Sequence, residues 1–138
     1  MIEKFNNIFL LIIYLVHFLG VGAYAFQTII DTKGFMKKFG IDKSGAIMIR
    51  LAGAFMLAVF LMSIYVGFVR PAGLDSTWAF FNLVFLNNLC ISICNFYSIK
   101  VDKMGVNKKT GIEPIIAPLA FTIMSAILCY GLADKIYV

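Results

Sequence analysis

Residues 8–26 read IFLLIIYLVHFLGVGAYAF, an unbroken apolar run without a formal charge at neutral pH. At about 1.5 Å of rise per residue, a helix of this length crosses a hydrocarbon layer of roughly 30 Å. Three further runs of similar length follow, at 46–68, 78–98 and 115–133. Only a helix satisfies its own backbone polar groups inside lipid, so the four runs predict four transmembrane helices. The fold class is therefore an all-α bundle, a single polytopic domain over 1–138 with little mass outside the bilayer.

Composition agrees. Apolar residues make up 62% of the chain and charged residues 14%, against about 45–50% and 25% for a soluble domain. An ordinary soluble enzyme, a disordered chain and a disulfide scaffold are excluded on that ground. Cys90, Cys94 and Cys129 all fall inside apolar runs, and an odd number of cysteines placed in lipid does not build a disulfide framework.

The breaks between the runs carry turn chemistry. Asp31–Ser44 is charged and holds Gly34 and Gly40; Arg70-Pro71-Ala72-Gly73 is a turn signal; Lys100–Pro114 is basic and glycine-bearing. Within the first break, Gly34–Ile41 (GFMKKFGI) mixes Phe35, Met36, Phe39 and Ile41 with Lys37 and Lys38. It reads either as a turn lying among lipid headgroups or as a plain connecting loop.

Nine of the 12 lysines and arginines lie in the first and third loops or their flanks, leaving Lys4, Arg70 and Lys135 on the other side. The positive-inside rule then puts loops 27–45 and 99–114 on the cytoplasmic side and both termini opposite. Lys37, Lys38, Lys43, Lys103, Lys108 and Lys109 are the expected headgroup contacts. The net charge of +5 does not imply nucleic acid, because these residues occupy loops and form no stripe on a folded face. Ala23-Tyr24-Ala25 resembles a signal-peptidase site, but Glu3 beside Lys4 leaves the preceding segment nearly neutral and Tyr14 and His17 interrupt the run, so retention is expected.

The loops also match one another. Lys38-Phe39-Gly40-Ile41-Asp42-Lys43-Ser44-Gly45 aligns with Lys103-Met104-Gly105-Val106-Asn107-Lys108-(Lys109)-Thr110-Gly111. This pattern reads either as a duplicated helical hairpin or as two similar basic turns.

Polar groups in mid-membrane are costly and mark functional positions by default. The third span carries Asn82, Asn87, Asn88, Ser92, Asn95 and Ser98. Of these, Asn88, Ser92, Asn95 and Ser98 share one helical stripe, which should face protein or water. Depth matching pairs Arg50 with Asn95 near the cytoplasmic ends of their spans; the other reading has Arg50 reaching to headgroups. Ala46, Ala54 and Ala58 share the Arg50 face, which favours close helix contact there. His17, Asn88 and Ser125 lie at similar depth and could form a clamp, a proton relay or a ligand contact.

Several chemistries lack their residues. Haem held by two histidines needs a second one, and the depths of Cys94 and Cys129 disagree by well over 10 Å at about 1.5 Å per residue, too far for shared zinc. The 105–110 loop lacks the second glycine of a phosphate loop, and no Ser/His/Asp set exists inside the spans. No cofactor, metal or catalytic residue is assigned, and no enzyme activity is expected.

Arg50-Leu51-Ala52-Gly53-Ala54 resembles the Arg-x-x-Gly-small start of the second span in DoxX-like membrane proteins, which are compact four-helix chains of about this length. The resemblance implies an accessory membrane subunit, tied in some members to respiratory or sulfur-oxidising complexes. It gives Arg50, Gly53 and Ala54 as helix-packing positions and implies no catalytic site. The leading expectation is accordingly a non-catalytic accessory or assembly subunit of a larger membrane complex, with lipids and other subunits, or further copies of itself, as partners. The alternatives are a small-molecule or lipid-binding carrier using the His17–Asn88 region, and a homo-oligomeric channel lined by Asn88, Ser92 and Asn95.

Overall fold

The structure, a computed structural model, describes residues 2–138. It is all-helical: α1 (Ile8–Ile29), α2 (Thr32–Phe39), α3 (Ala46–Ile64), α4 (Trp78–Phe96), α5 (Glu113–Gly131) and α6 (Ala133–Ile136). The helices α1, α3, α4 and α5 are each long and apolar enough to cross a membrane.

Their ends follow from local chemistry. Asn7 caps α1 by accepting from the Leu10 N–H at 2.9 Å. The helix outlasts its apolar run, and the Thr28 hydroxyl is satisfied there by bonding back to the Tyr24 carbonyl, 2.7 Å away. Both α3 and α4 continue into π-helical turns, Tyr65–Val69 and Tyr97–Asp102, closed by bonds from Arg70 N to Tyr65 O and from Lys103 N to Ser98 O. Pro114 sits in the first turn of α5, where its missing N–H costs nothing.

The segment 34–41 is neither a turn nor a plain loop. Residues 34–39 belong to α2, an amphipathic helix capped by Asp31, which accepts from the Gly34 N–H. Gly40 ends it with φ of 68°, a left-handed conformation that closes helices at little cost only for glycine. Met36 and Phe39 are buried, while Lys33, Lys37 and Lys38 are exposed.

The spans pack in the series α3–α1–α5–α4. α1 is the most buried of the four and α3 the least. α3 and α4 stand at the two ends of the series and make no extended contact. Gly53 allows α3 to approach α1: a Cβ there would run into Thr28 Oγ1 and lie 2.8 Å from Ile29 Cγ1. The expected alanine face does not make this contact. Ala54 and Ala58 are exposed, because Gly53 turns the neighbouring face toward α1.

The apolar core lies at the end of the bundle that holds both termini. Phe5, Tyr14 and Phe18 meet Val66, Phe81, Leu128 and Ile136 there, and Tyr14 donates to the Ser63 carbonyl at 2.5 Å. Asn6 ties the N-terminal segment to Gly131 O and Asp134. The opposite end is closed differently, by α2 and the 103–111 loop. Asn107 Nδ2 donates to the Gly40 carbonyl at 2.9 Å and is 3.4 Å from that of Phe39. The two sequence-matched loops thus touch. Their equivalent glycines, Gly40 and Gly105, both have positive φ (68° and 76°), whereas their flanks differ: the first copy ends a helix and the second is a run of turns.

Candidate functional site

Three of the polar residues matched by depth meet in the core. His17 on α1 is fully buried, held edge-on between the rings of Phe18 and Phe121. Asn88 Nδ2, from α4, lies 3.0 Å from His17 Nε2 and 3.4 Å from Ser125 Oγ on α5. Because the amide nitrogen donates to Nε2, the neutral imidazole carries its proton on Nδ1. That atom is the one fully buried side-chain nitrogen or oxygen without a partner among the described residues. One turn along, Ser92 and Thr122 share a hydrogen bond of 3.1 Å between α4 and α5. This polar seam is continuous from His17 to Thr122.

Beyond the seam, toward the basic loops, the bundle opens around a cavity of about 370 Å³. Val21 and Tyr24 of α1 and Ala117, Pro118 and Phe121 of α5 form its back wall. Met56 and Val59 of α3 face Asn87, Asn88 and Ile91 of α4 across it. Phe35 and Phe39 of α2, with Gly105 and Thr110, cap it. The opening at this end agrees with the packing order, in which α3 and α4 make no extended contact.

At the rim, Glu113 accepts from the Tyr24 hydroxyl (2.8 Å) and pairs with Lys38 Nζ (2.6 and 2.7 Å), the one ion pair among the described residues. Both partners are half-exposed, so the pair orients α2 more than it stabilises the fold. It neutralises Glu113, the one charged group lining the cavity among the described residues.

Arg50 and Asn95 do not pair. Arg50 is exposed and donates from Nε to Thr32 Oγ1 at 3.2 Å. Asn95 Nδ2 instead donates to the Pro114 carbonyl at 2.7 Å. Pro118 has no N–H to reach back to that carbonyl four residues earlier, and Asn95 fills the gap. Depth matching failed here because it ignores which helices are neighbours, and α3 and α4 are not. The stripe on α4 also frays: Asn88 and Ser92 are buried, Asn95 is half-buried, and Ser98, in the π turn, is exposed. Lys37, Lys38, Lys43, Lys103, Lys108 and Lys109 are all exposed and lie in α2 or the two loops that close this end.

Sequence reasoning missed Glu113, Tyr24, Thr32 and Asn107. Pro118 carried a readable signal for the Asn95 contact, because a proline inside an apolar span frees a carbonyl that must find another donor in lipid. The long-range partners of Glu113 and Asn107 left no such trace.

Chemically, the site offers amides, hydroxyls and apolar walls. Among the described residues no group of three histidine, cysteine or acidic side chains could hold a metal ion, and the three cysteines are free. No protein-family model matches the chain, and neither a curated protein nor a solved structure is similar to it.

Proposed function

We propose that the protein is a non-catalytic membrane component that binds a small, largely apolar molecule in the cavity between its spans. The observation that carries this reading is the 370 Å³ space bordered by Asn87 and Asn88 at mid-depth. Its volume falls in the range of small-molecule sites, and apolar walls with a few placed polar groups are their usual composition. In this reading, loops 27–45 and 99–114 face the cytoplasm and both termini the opposite side. Lys37, Lys43, Lys103, Lys108 and Lys109 contact anionic headgroups, and α2 lies at the interface.

The second reading is an accessory or assembly subunit of a larger membrane complex. It is favoured by α3, which buries the least of its surface and leaves Ala54 and Ala58 open, one turn apart.

Native mass spectrometry after gentle extraction separates the two. The binding reading expects the chain with a non-covalent small molecule, lost in Asn88→Ala and in Ala117→Phe, which fills the cavity, while both variants keep their helical content. An empty chain that co-migrates with other polypeptides would overturn it in favour of the subunit reading.

A further inference from the structure

The cavity's polar atoms and its open side specify what kind of molecule it takes. The Asn88 carbonyl oxygen accepts no hydrogen bond among the described residues, its amide nitrogen being the atom spent on His17, Phe121 and Ser125. Asn87, one residue along and exposed, makes no side-chain hydrogen bond among the described residues. Two mid-span asparagines therefore present an unused acceptor, together with a further acceptor and donor, to one space. Among the described residues the one charge lining that space, on Glu113, is already matched by Lys38. A charged ligand group would find no counter-ion there and would lose its hydration, whereas a neutral hydroxyl can donate to the Asn88 oxygen and accept from the Asn87 amide.

The route follows from the packing order. α3 and α4 make no extended contact, yet Met56 and Asn87 face the cavity from those two helices. A molecule reaching the cavity between those two helices would come from the side, at membrane depth. The loop end, by contrast, is closed by Phe35 and Phe39 and latched through Asn107.

We infer that the ligand is a neutral, membrane-dissolved amphiphile bearing a hydroxyl group, which enters between α3 and α4 and sets that group against Asn87 and Asn88. Its apolar remainder fills the cavity and trails through the gap into the leaflet. This rests on the binding reading above and adds the ligand's chemistry and its path.

The test uses the full chain in phosphatidylcholine vesicles and four photoreactive sixteen-carbon probes: an alkane, a primary alcohol, a carboxylate and an amine. The alcohol should label Ala117 and Phe121 at least tenfold more than the alkane, and the charged probes no more than the alkane. Asn87→Leu, an exposed position that folding tolerates, should bring the alcohol down to the alkane level; Cys90→Ser, exposed outside the cavity, should not. Met56→Trp should slow the alcohol's labelling several-fold by narrowing the gap. Carboxylate or amine labelling equal to the alcohol would overturn the ligand class and leave the binding reading standing, as would equal labelling by alkane and alcohol. An unchanged rate in Met56→Trp would overturn the lateral route. Failure of every probe to label the cavity would overturn both this inference and the binding reading.

Discussion

Asn95 Nδ2 donates a 2.7 Å hydrogen bond to the Pro114 carbonyl, the oxygen that Pro118 leaves without its helical donor. A side chain of α4 thereby repairs a break in the backbone ladder of α5, and the break becomes a joint between the two helices. One turn on, the Thr122 hydroxyl bonds back to the Pro118 carbonyl at 2.8 Å, which satisfies that hydroxyl within α5.

This joint predicts a compensated pair of variants. Asn95→Ala should destabilise the bundle by about 1–3 kcal/mol, because it strands a carbonyl in an apolar setting. Pro118→Ala restores the N–H to the ladder, and in that background Asn95→Ala should cost well under half as much. Unfolding by a denaturing detergent, compared across the four proteins, measures the difference. Equal costs in both backgrounds would mean the side chain acts through something other than the freed carbonyl.

Gly53 sets the distance between α1 and α3. Gly53→Ala should cost about 1–3 kcal/mol, since the new methyl meets Thr28 and Ile29 at backbone-approach distance. Ala54→Leu, one position away and exposed, should stay within about 0.5 kcal/mol. The same detergent titration checks both, and a reversed order would move the α1–α3 contact to the alanine face.

How far the sequence could be read depended on which physical constraint each feature obeyed. The four spans were legible because a hydrocarbon layer demands length and apolarity, both of which are local. The His17–Asn88–Ser125 meeting was legible because helical rise fixes depth. Rotation and neighbour order are not local, so Arg50 was paired with Asn95 although their helices stand at opposite ends of the series. The cavity follows from that same order and was invisible for that reason. α2 was missed because eight residues of mixed polarity carry little hydropathy signal, although its Asp31 cap and Gly40 stop stood in plain sequence.

The proposed orientation makes its own prediction. Met104 is strongly exposed in the second basic loop, and the native cysteines lie within α4 and α5, out of reach of a charged reagent. Met104→Cys should react with a membrane-impermeant maleimide only when the cytoplasmic face is open, and Asp75→Cys only from the other side. The opposite pattern would invert the topology.

The contact between the matched loops can be weakened without disturbing its own turn. Asn107 uses its two amide atoms separately: Nδ2 donates to the Gly40 carbonyl, while Oδ1 accepts from the Lys109 N–H at 2.8 Å. Asn107→Asp keeps the second interaction and removes the first, so it releases α2 while the 103–111 turn persists. Losing one such bond is worth about 1 kcal/mol, roughly a fivefold faster hydrogen exchange, expected at the amides of 35–41. Lys38→Ala, which breaks a half-exposed ion pair, should change the same amides less. Unchanged exchange in Asn107→Asp would show that Met36 and Phe39, buried on the underside of α2, hold the cap by themselves.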